Sequence, residues 1–243
     1  MISIFGYLTL ALAFLLAVYG AIAAISGLIQ KSDAWTESAR WALLLIFPLV
    51  TISLVIVLGL LFSDRFDVAY VYSVTSRDMP GYLKLTALWG GQSGSLLFWS
   101  WLLAGFSMAF SLRKWGEDID LLPWVLVVVL ITLSFFLALN VFMEVPFERF
   151  WHFPDGSRVL SIFQPAGAWG LTPQDGQGLN PLLRHPGMIW HPPALYLGFV
   201  GFIIPFALAI ATLAVNRQDR RWMEISRPWM LITWVFLSLG LVL

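Results

Sequence analysis

No cysteine occurs in this chain of 243 residues. That excludes a disulfide framework, a thiolate metal site and thiol catalysis. Charge is scarce as well. Asp, Glu, Lys and Arg make up 12% of the residues, against about 25% in an ordinary soluble domain. The formal net charge is +0, so no basic surplus is present to attract nucleic acid. Residues 1–30 carry no charged side chain. They lack the basic n-region of a cleaved signal peptide and read as a retained spanning helix. There are 3 histidines, and none belongs to a His-Glu-x-x-His pair. A Gly-x-Ser-x-Gly elbow and a phosphate loop are also missing.

What is present is apolar. Hydrophobic residues make up 59% of the chain and the mean hydropathy is +0.82, which places it among membrane proteins. A spanning helix needs about 20 apolar residues. Segments 4–29, 41–62, 85–112, 122–143 and 193–215 meet that length. Segment 228–243 begins a sixth span of about 16 residues, or about 24 Å, against a hydrocarbon core about 30 Å thick. The expected fold is an all-α polytopic membrane protein, one helical domain over 1–243 with about six spans, the last one incomplete. On that reading the chain is a fragment or a split-gene product.

Basic residues set the expected orientation. Lys31 and Arg40, then Arg113 and Lys114, then Arg217, Arg220, Arg221 and Arg227 crowd three short connections. These connections are expected on the cytoplasmic side. The N-terminus, residues 63–84 and the long segment 144–190 then face the other side. Segment 144–190 contains six prolines, from Pro146 to Pro186, and reads as an ordered but irregular surface segment or partner-binding loop.

Two stretches carry chemistry. The first is "GMIWHPPALYLGFVGF", residues 187–202. A residue before proline is pushed towards extended backbone, and proline is favoured in the first turn of a helix. His191 is therefore expected just outside the helix that Pro192 and Pro193 start, at the outer interface. The positive end of the helix dipole lies beside it. That field favours the neutral ring, whose lone pair is free for a metal. A bond to water, a headgroup or a loop carbonyl remains the competing reading. His185 and His152 are weaker candidates, and His152 reads as a solvated loop residue. The second stretch is "LWGGQSGSLLFWSWLLAG", residues 88–105. Gly90–Gly94 and Gly91–Ser95 are small-xxx-small pairs that let membrane helices approach closely. Trp89, Trp99 and Trp101 flank them and offer indole faces to a flat ligand or to neighbouring helices. Gln92 is expected to bond across helices. Glu144 and Glu148 straddle Pro146 and read as interface charges.

Both stretches resemble the CcmF/CycK family, with its NrfE relatives: haem-lyase subunits of the cytochrome c maturation system. "GLNPLLRHPGMIWHPPALYLGFVGFIIPFALAIATL", "LWGGQSGSLLFWSWLL" and "RPWMLITWVFLSLGLVL" carry the likeness, which runs over nearly the whole chain. The resemblance implies b-type haem delivered by a membrane-anchored chaperone, CcmE, and passed to apocytochrome c, with CcmH-like apocytochrome-handling subunits as further partners. It implies His191 as an axial ligand to the haem iron in transfer. It also implies that the second outer histidine and the histidines of a resident haem belong to a C-terminal half or companion chain. This chain is then not expected to be an active lyase alone. Trp89, Trp99, Asn180 and Arg184 are candidate haem contacts; the two loop residues would bond propionates or orient the ring. A transporter or channel module is the alternative from another class, but spans two to five carry almost no charge to line a pathway. A scaffold subunit docking through the glycine-lined third span is the remaining one.

Overall fold

The computed structural model describes residues 1–243. Six stretches are long and apolar enough to cross a membrane. The first two are α1 (Ile2–Gln30) and α2 (Asp33–Phe62). Short helices α3 (Ala69–Val74) and α4 (Gly81–Thr86) follow in the first long connection. Then come α5 (Gln92–Ser111) and α6 (Leu122–Phe142). The fifth span is built from α7 (Gly187–Gly201) and α8 (Ile203–Ala214), and the sixth is α9 (Arg221–Val242). The all-α polytopic reading holds.

Small residues decide where the core sits. On α1, Gly6, Ala13, Ala17, Gly20, Ala24 and Gly27 are all buried. Their spacing of three, four or seven puts them on one helix face, and that face packs on α2 and α6. Leu8, Leu12 and Leu15 point outwards and stay exposed, as lipid-facing residues do. Polar side chains join the helices inside the bundle. Thr9 and Ser53 hydroxyls lie 2.7 Å apart, and Asn140 Nδ2 donates to Ser100 Oγ at 2.9 Å. Such bonds act between membrane helices, where apolar burial against lipid gains little.

Two expectations about spans are corrected. The sixth span is not a short one starting at Pro228. It begins at Arg221, where Asp219 Oδ1 accepts the Arg221 backbone N–H at 3.0 Å. Its 22 residues reach about 33 Å at the helical rise, long enough for a hydrocarbon core about 30 Å thick. The fifth span is not one helix from Pro193. It starts at Gly187 and breaks at Phe202. Pro205 cannot donate to the Gly201 carbonyl, which ends one ladder and restarts another. α7 and α9 lie close together. A Cβ on Gly198 would come within 2.7 Å of the Leu237 Cα, and one on Gly240 within 2.8 Å of the Leu195 backbone N.

The two long connections form one cap over one end of the bundle. Segment 144–190 carries an antiparallel sheet in the order β2-β1-β3, with β1 Arg149–His152, β2 Arg158–Ser161 and β3 Trp169–Gly170. It is tied to the first connection by backbone bonds: Ala69 N to Glu148 O at 2.8 Å, Phe150 N to Asp67 O at 3.1 Å, and Gln177 N to Tyr72 O at 2.8 Å. Asp67 accepts from both Arg65 and Arg149.

Candidate functional site at the capped end

Three elements converge on the start of α7. His191 lies inside this helix rather than before it, because α7 begins at Gly187. One local acceptor and one distant donor explain the earlier start. His185 Nδ1 accepts the Gly187 backbone N–H at 3.1 Å, which serves an otherwise unpaired donor of the first turn. The Met188 carbonyl, which Pro192 cannot serve, accepts the indole N–H of Trp89 at 3.3 Å. The pre-proline bias of His191 is thus overridden by a local cap and by one contact distant in sequence. Its ring is half-buried and makes no hydrogen bond to the protein. It remains within the first two turns of α7, near the positive end of the dipole.

Trp89 closes a 3₁₀ turn, Ala87–Trp89. The hydroxyl of buried Tyr70 lies 2.7 Å from the Ala87 carbonyl and 3.0 Å from the Leu88 carbonyl. Burial pushes the Tyr70 phenol well above its ordinary value, so it stays a donor. The glycines next to Trp89 make room for this arrangement rather than for a second membrane-spanning helix. A Cβ on Gly94 would collide with the Leu88 carbonyl oxygen and the Tyr70 hydroxyl. Gln92, expected to bond across helices, is exposed at the first position of α5 and has no protein partner.

The remaining candidates are spread out. The Trp89 ring stacks on Phe98 at 5.6 Å, and Phe98 on Trp101 at 5.9 Å. Trp99 faces another way. It packs edge-on against Tyr196 and Phe199 and lines an apolar cleft of about 370 Å³ with Leu103, Phe136 and Phe206. Its indole N–H is buried without a partner. At a rise of about 1.5 Å per residue, Tyr196 and Phe199 lie roughly 8–12 Å along the span beyond His191. Trp89 and Trp99 therefore serve different levels of the bundle. Asn180 Oδ1 accepts the Leu182 N–H at 3.0 Å and caps the turn Pro181–Arg184, and Arg184 Nε donates to the Leu179 carbonyl at 3.1 Å. The Asn180 amide nitrogen and the terminal guanidinium nitrogens of Arg184 have no protein partner. Both residues are exposed just before α7.

His152 is not a solvated loop residue. It sits in β1, half-buried, stacked on Trp169 at 6.3 Å. Glu144 accepts from Ser93 Oγ at 3.0 Å. Burial, and then the Glu144 charge, raise the Glu148 carboxyl above its ordinary value. No group of three or more His, Asp or Glu is placed to hold a metal. Sequence reasoning missed Tyr70, whose hydroxyl acts through backbone carbonyls, and Trp190, which neighbours His191 and is 69% exposed.

A helical membrane bundle with one unpaired imidazole at a proline-interrupted helix start, under a cap made of two long connections, defines the class. The chain belongs to the cytochrome c assembly protein family, whose model matches residues 89–243. It is 36% identical over its whole length to the cytochrome c-type biogenesis protein CcmF of Pseudomonas aeruginosa, of which it covers 34%. It is 32% identical over 98% of its length to the biogenesis protein NrfE of Haemophilus influenzae, again covering 34% of that relative. The solved structure of a cytochrome c haem lyase CcmF matches 99% of the chain with a TM-score of 0.76 at 25% identity; the match covers 35% of that protein. The chain thus spans about a third of the length of the curated relatives it matches.

Proposed function

We propose that this chain is the part of a cytochrome c haem lyase that offers one axial imidazole, His191, to haem on its way to apocytochrome c. The family membership and the haem-lyase title of the structural relative support the reaction class. The observation that carries the ligand role is the state of the His191 ring: free of protein hydrogen bonds, on a turn whose carbonyl is held by Trp89. His185 and His152 are engaged in a cap and an aromatic stack.

A lone imidazole with no acidic or imidazole companions suits a metal that brings its own equatorial ligands, as iron in a porphyrin does. Haem is the substrate here, and the covalent chemistry belongs largely to haem and the apoprotein. The chain's own residues bind and orient. His191 gives one ligand nitrogen; the second comes from elsewhere in the assembly. The unpartnered nitrogens of Arg184 and Asn180 are placed to take propionates. The short connections rich in Lys and Arg support a cytoplasmic location for the opposite end. The cap and His191 then face the periplasmic side of a bacterial inner membrane. There a chaperone of the CcmE type delivers haem, and CcmH-like subunits present the apocytochrome.

The test is His191→Ala in cells that carry the rest of the system, read as haem covalently attached to c-type cytochromes. Attachment is expected to fall to background while the variant protein still accumulates in the membrane. Wild-type attachment would overturn the ligand role.

A further inference from the structure

Pro192 and Pro193 each remove a donor from α7. In an unbroken helix, residue 192 would donate to the Met188 carbonyl and residue 193 to the Ile189 carbonyl. The Met188 carbonyl is filled from outside the helix, by the Trp89 indole N–H at 3.3 Å. Trp89 is itself fixed on two sides. Its 3₁₀ turn is pinned by the Tyr70 hydroxyl through the Ala87 and Leu88 carbonyls. One face of its ring is covered by Phe98 at an interplanar angle of 29°. Met188 and His191 are three residues apart on one helix and so lie on the same face. The replaced bond therefore spans the single turn from Met188 to Pro192 that carries His191.

We infer that Trp89 is a positioning residue: its indole N–H stands in for the backbone donor that Pro192 lacks, and so fixes the turn that presents His191. The inference deepens the ligand reading above and rests on it. It gives Trp89 a role other than stacking on the bound porphyrin. A carbonyl left open at this place would recruit water or tilt outwards, and the helix start would open more often. The series Tyr70, the 3₁₀ turn, Trp89 and Met188 carries the rigidity of the cap to the imidazole.

Trp89→Phe keeps the aromatic stack and deletes the N–H. Amide hydrogen exchange on the full chain in detergent reads the local opening directly, with no haem present. In that variant the amides of residues 189–191, 194 and 195 are expected to exchange about fivefold faster, the effect of one net hydrogen bond. Those of α8 should be unchanged. Haem affinity, followed by the Soret band, should weaken by a similar factor. The decisive variant is Trp89→Phe combined with Pro192→Ala. Alanine at 192 returns a backbone N–H to the Met188 carbonyl, so both readouts should recover towards wild type. No change in exchange in Trp89→Phe overturns the inference, and so does a loss that Pro192→Ala fails to restore. His191→Ala separates the two layers. An unchanged Soret band in that variant defeats the ligand reading, whereas the exchange measurements still judge the role of Trp89.

Discussion

At one end of the bundle a buried carboxylate gathers three guanidinium groups. At the other, backbone carbonyls are met by tyrosine, tryptophan and arginine side chains. The first end is built on Asp118, which is fully buried, accepts from Arg113 at 3.0 Å and Arg217 at 3.2 Å, and forms an ion pair with Arg221 at 2.9 Å. Arg217 also reaches Asp120 and Asp219, and Arg221 pairs with Glu117. This network clamps the connection before α6 to the connection before α9. The capped end holds carboxylates too, but nearly all are occupied. Asp64 takes Lys84 at 2.6 Å, Asp67 takes Arg65 and Arg149, Asp78 takes the Ser76 hydroxyl, and Asp175 takes the Arg77 N–H. The difference has a chemical reason. A carboxylate paired with the coordinating nitrogen of His191 would favour the protonated ring, which under the proposed ligand role could not bind iron. The turn of His191 is therefore fixed by neutral donors, and ionic clamping is left mainly to the opposite end.

The largest expected effect tests the ionic end. Asp118→Ala leaves three guanidinium groups without their shared acceptor, and breaking a buried pair in this way costs about 3–5 kcal/mol. Unfolding followed by tryptophan fluorescence in detergent should show that loss. Amide exchange across Gly187–Gly201 should stay at wild-type rates until global unfolding. Equal loosening at both ends would break the comparison. The next effect is at the capped end. Gly94→Ala forces a methyl against the Leu88 carbonyl and the Tyr70 hydroxyl, and overpacking of this kind costs about 1–3 kcal/mol. Here exchange around His191 should rise, since the pinned 3₁₀ turn carries Trp89. Unaltered exchange at His191 would show that the turn does not transmit strain.

The contrast between the ends also separates what the sequence made legible from what it hid. Long apolar runs announce spanning helices whatever their neighbours do, so all six spans were readable. Their ends were not. Charged residues do not stop a helix, so α9 runs back through Arg227 and Glu224 to Arg221, whose backbone N–H Asp219 accepts. Pro228 lies in its interior. The rule that proline starts a helix misplaced His191, because the donors and acceptors that extend α7 come from His185 and from Trp89, ninety-nine positions before Met188. The glycine run pointed correctly to close approach but not to what approaches: a tyrosine ring and a carbonyl from the cap rather than a second membrane-spanning helix. The tight helix contact lies instead at Gly198 and Gly240. Pairings across long connections leave no local periodicity, so the three-stranded sheet and the stack of His152 on Trp169 were invisible too.

The smallest effect sharpens the account of the capped end. Glu148 is the exception among its carboxylates, since its side chain has no hydrogen-bond or ionic partner. It lines a pocket of about 340 Å³ with Tyr72, Ser93 and Phe150. Burial first, and the Glu144 charge second, raise its carboxyl above the ordinary value of 4.5. A raised carboxyl binds its proton more tightly in the folded state than in the unfolded one. Stability therefore falls as pH rises from the unfolded value through the folded one, and the penalty is fully present at neutral pH. Glu148→Gln removes the charge and keeps the shape. At pH 7 the variant should unfold at a slightly higher temperature than wild type, and this gain should vanish well below pH 4.5, where both proteins are neutral at this position. A loss at pH 7 would mean that Glu148 has a cationic partner in the assembled protein. A gain that persists in acid would mean that glutamine packs better there, with no charge penalty relieved.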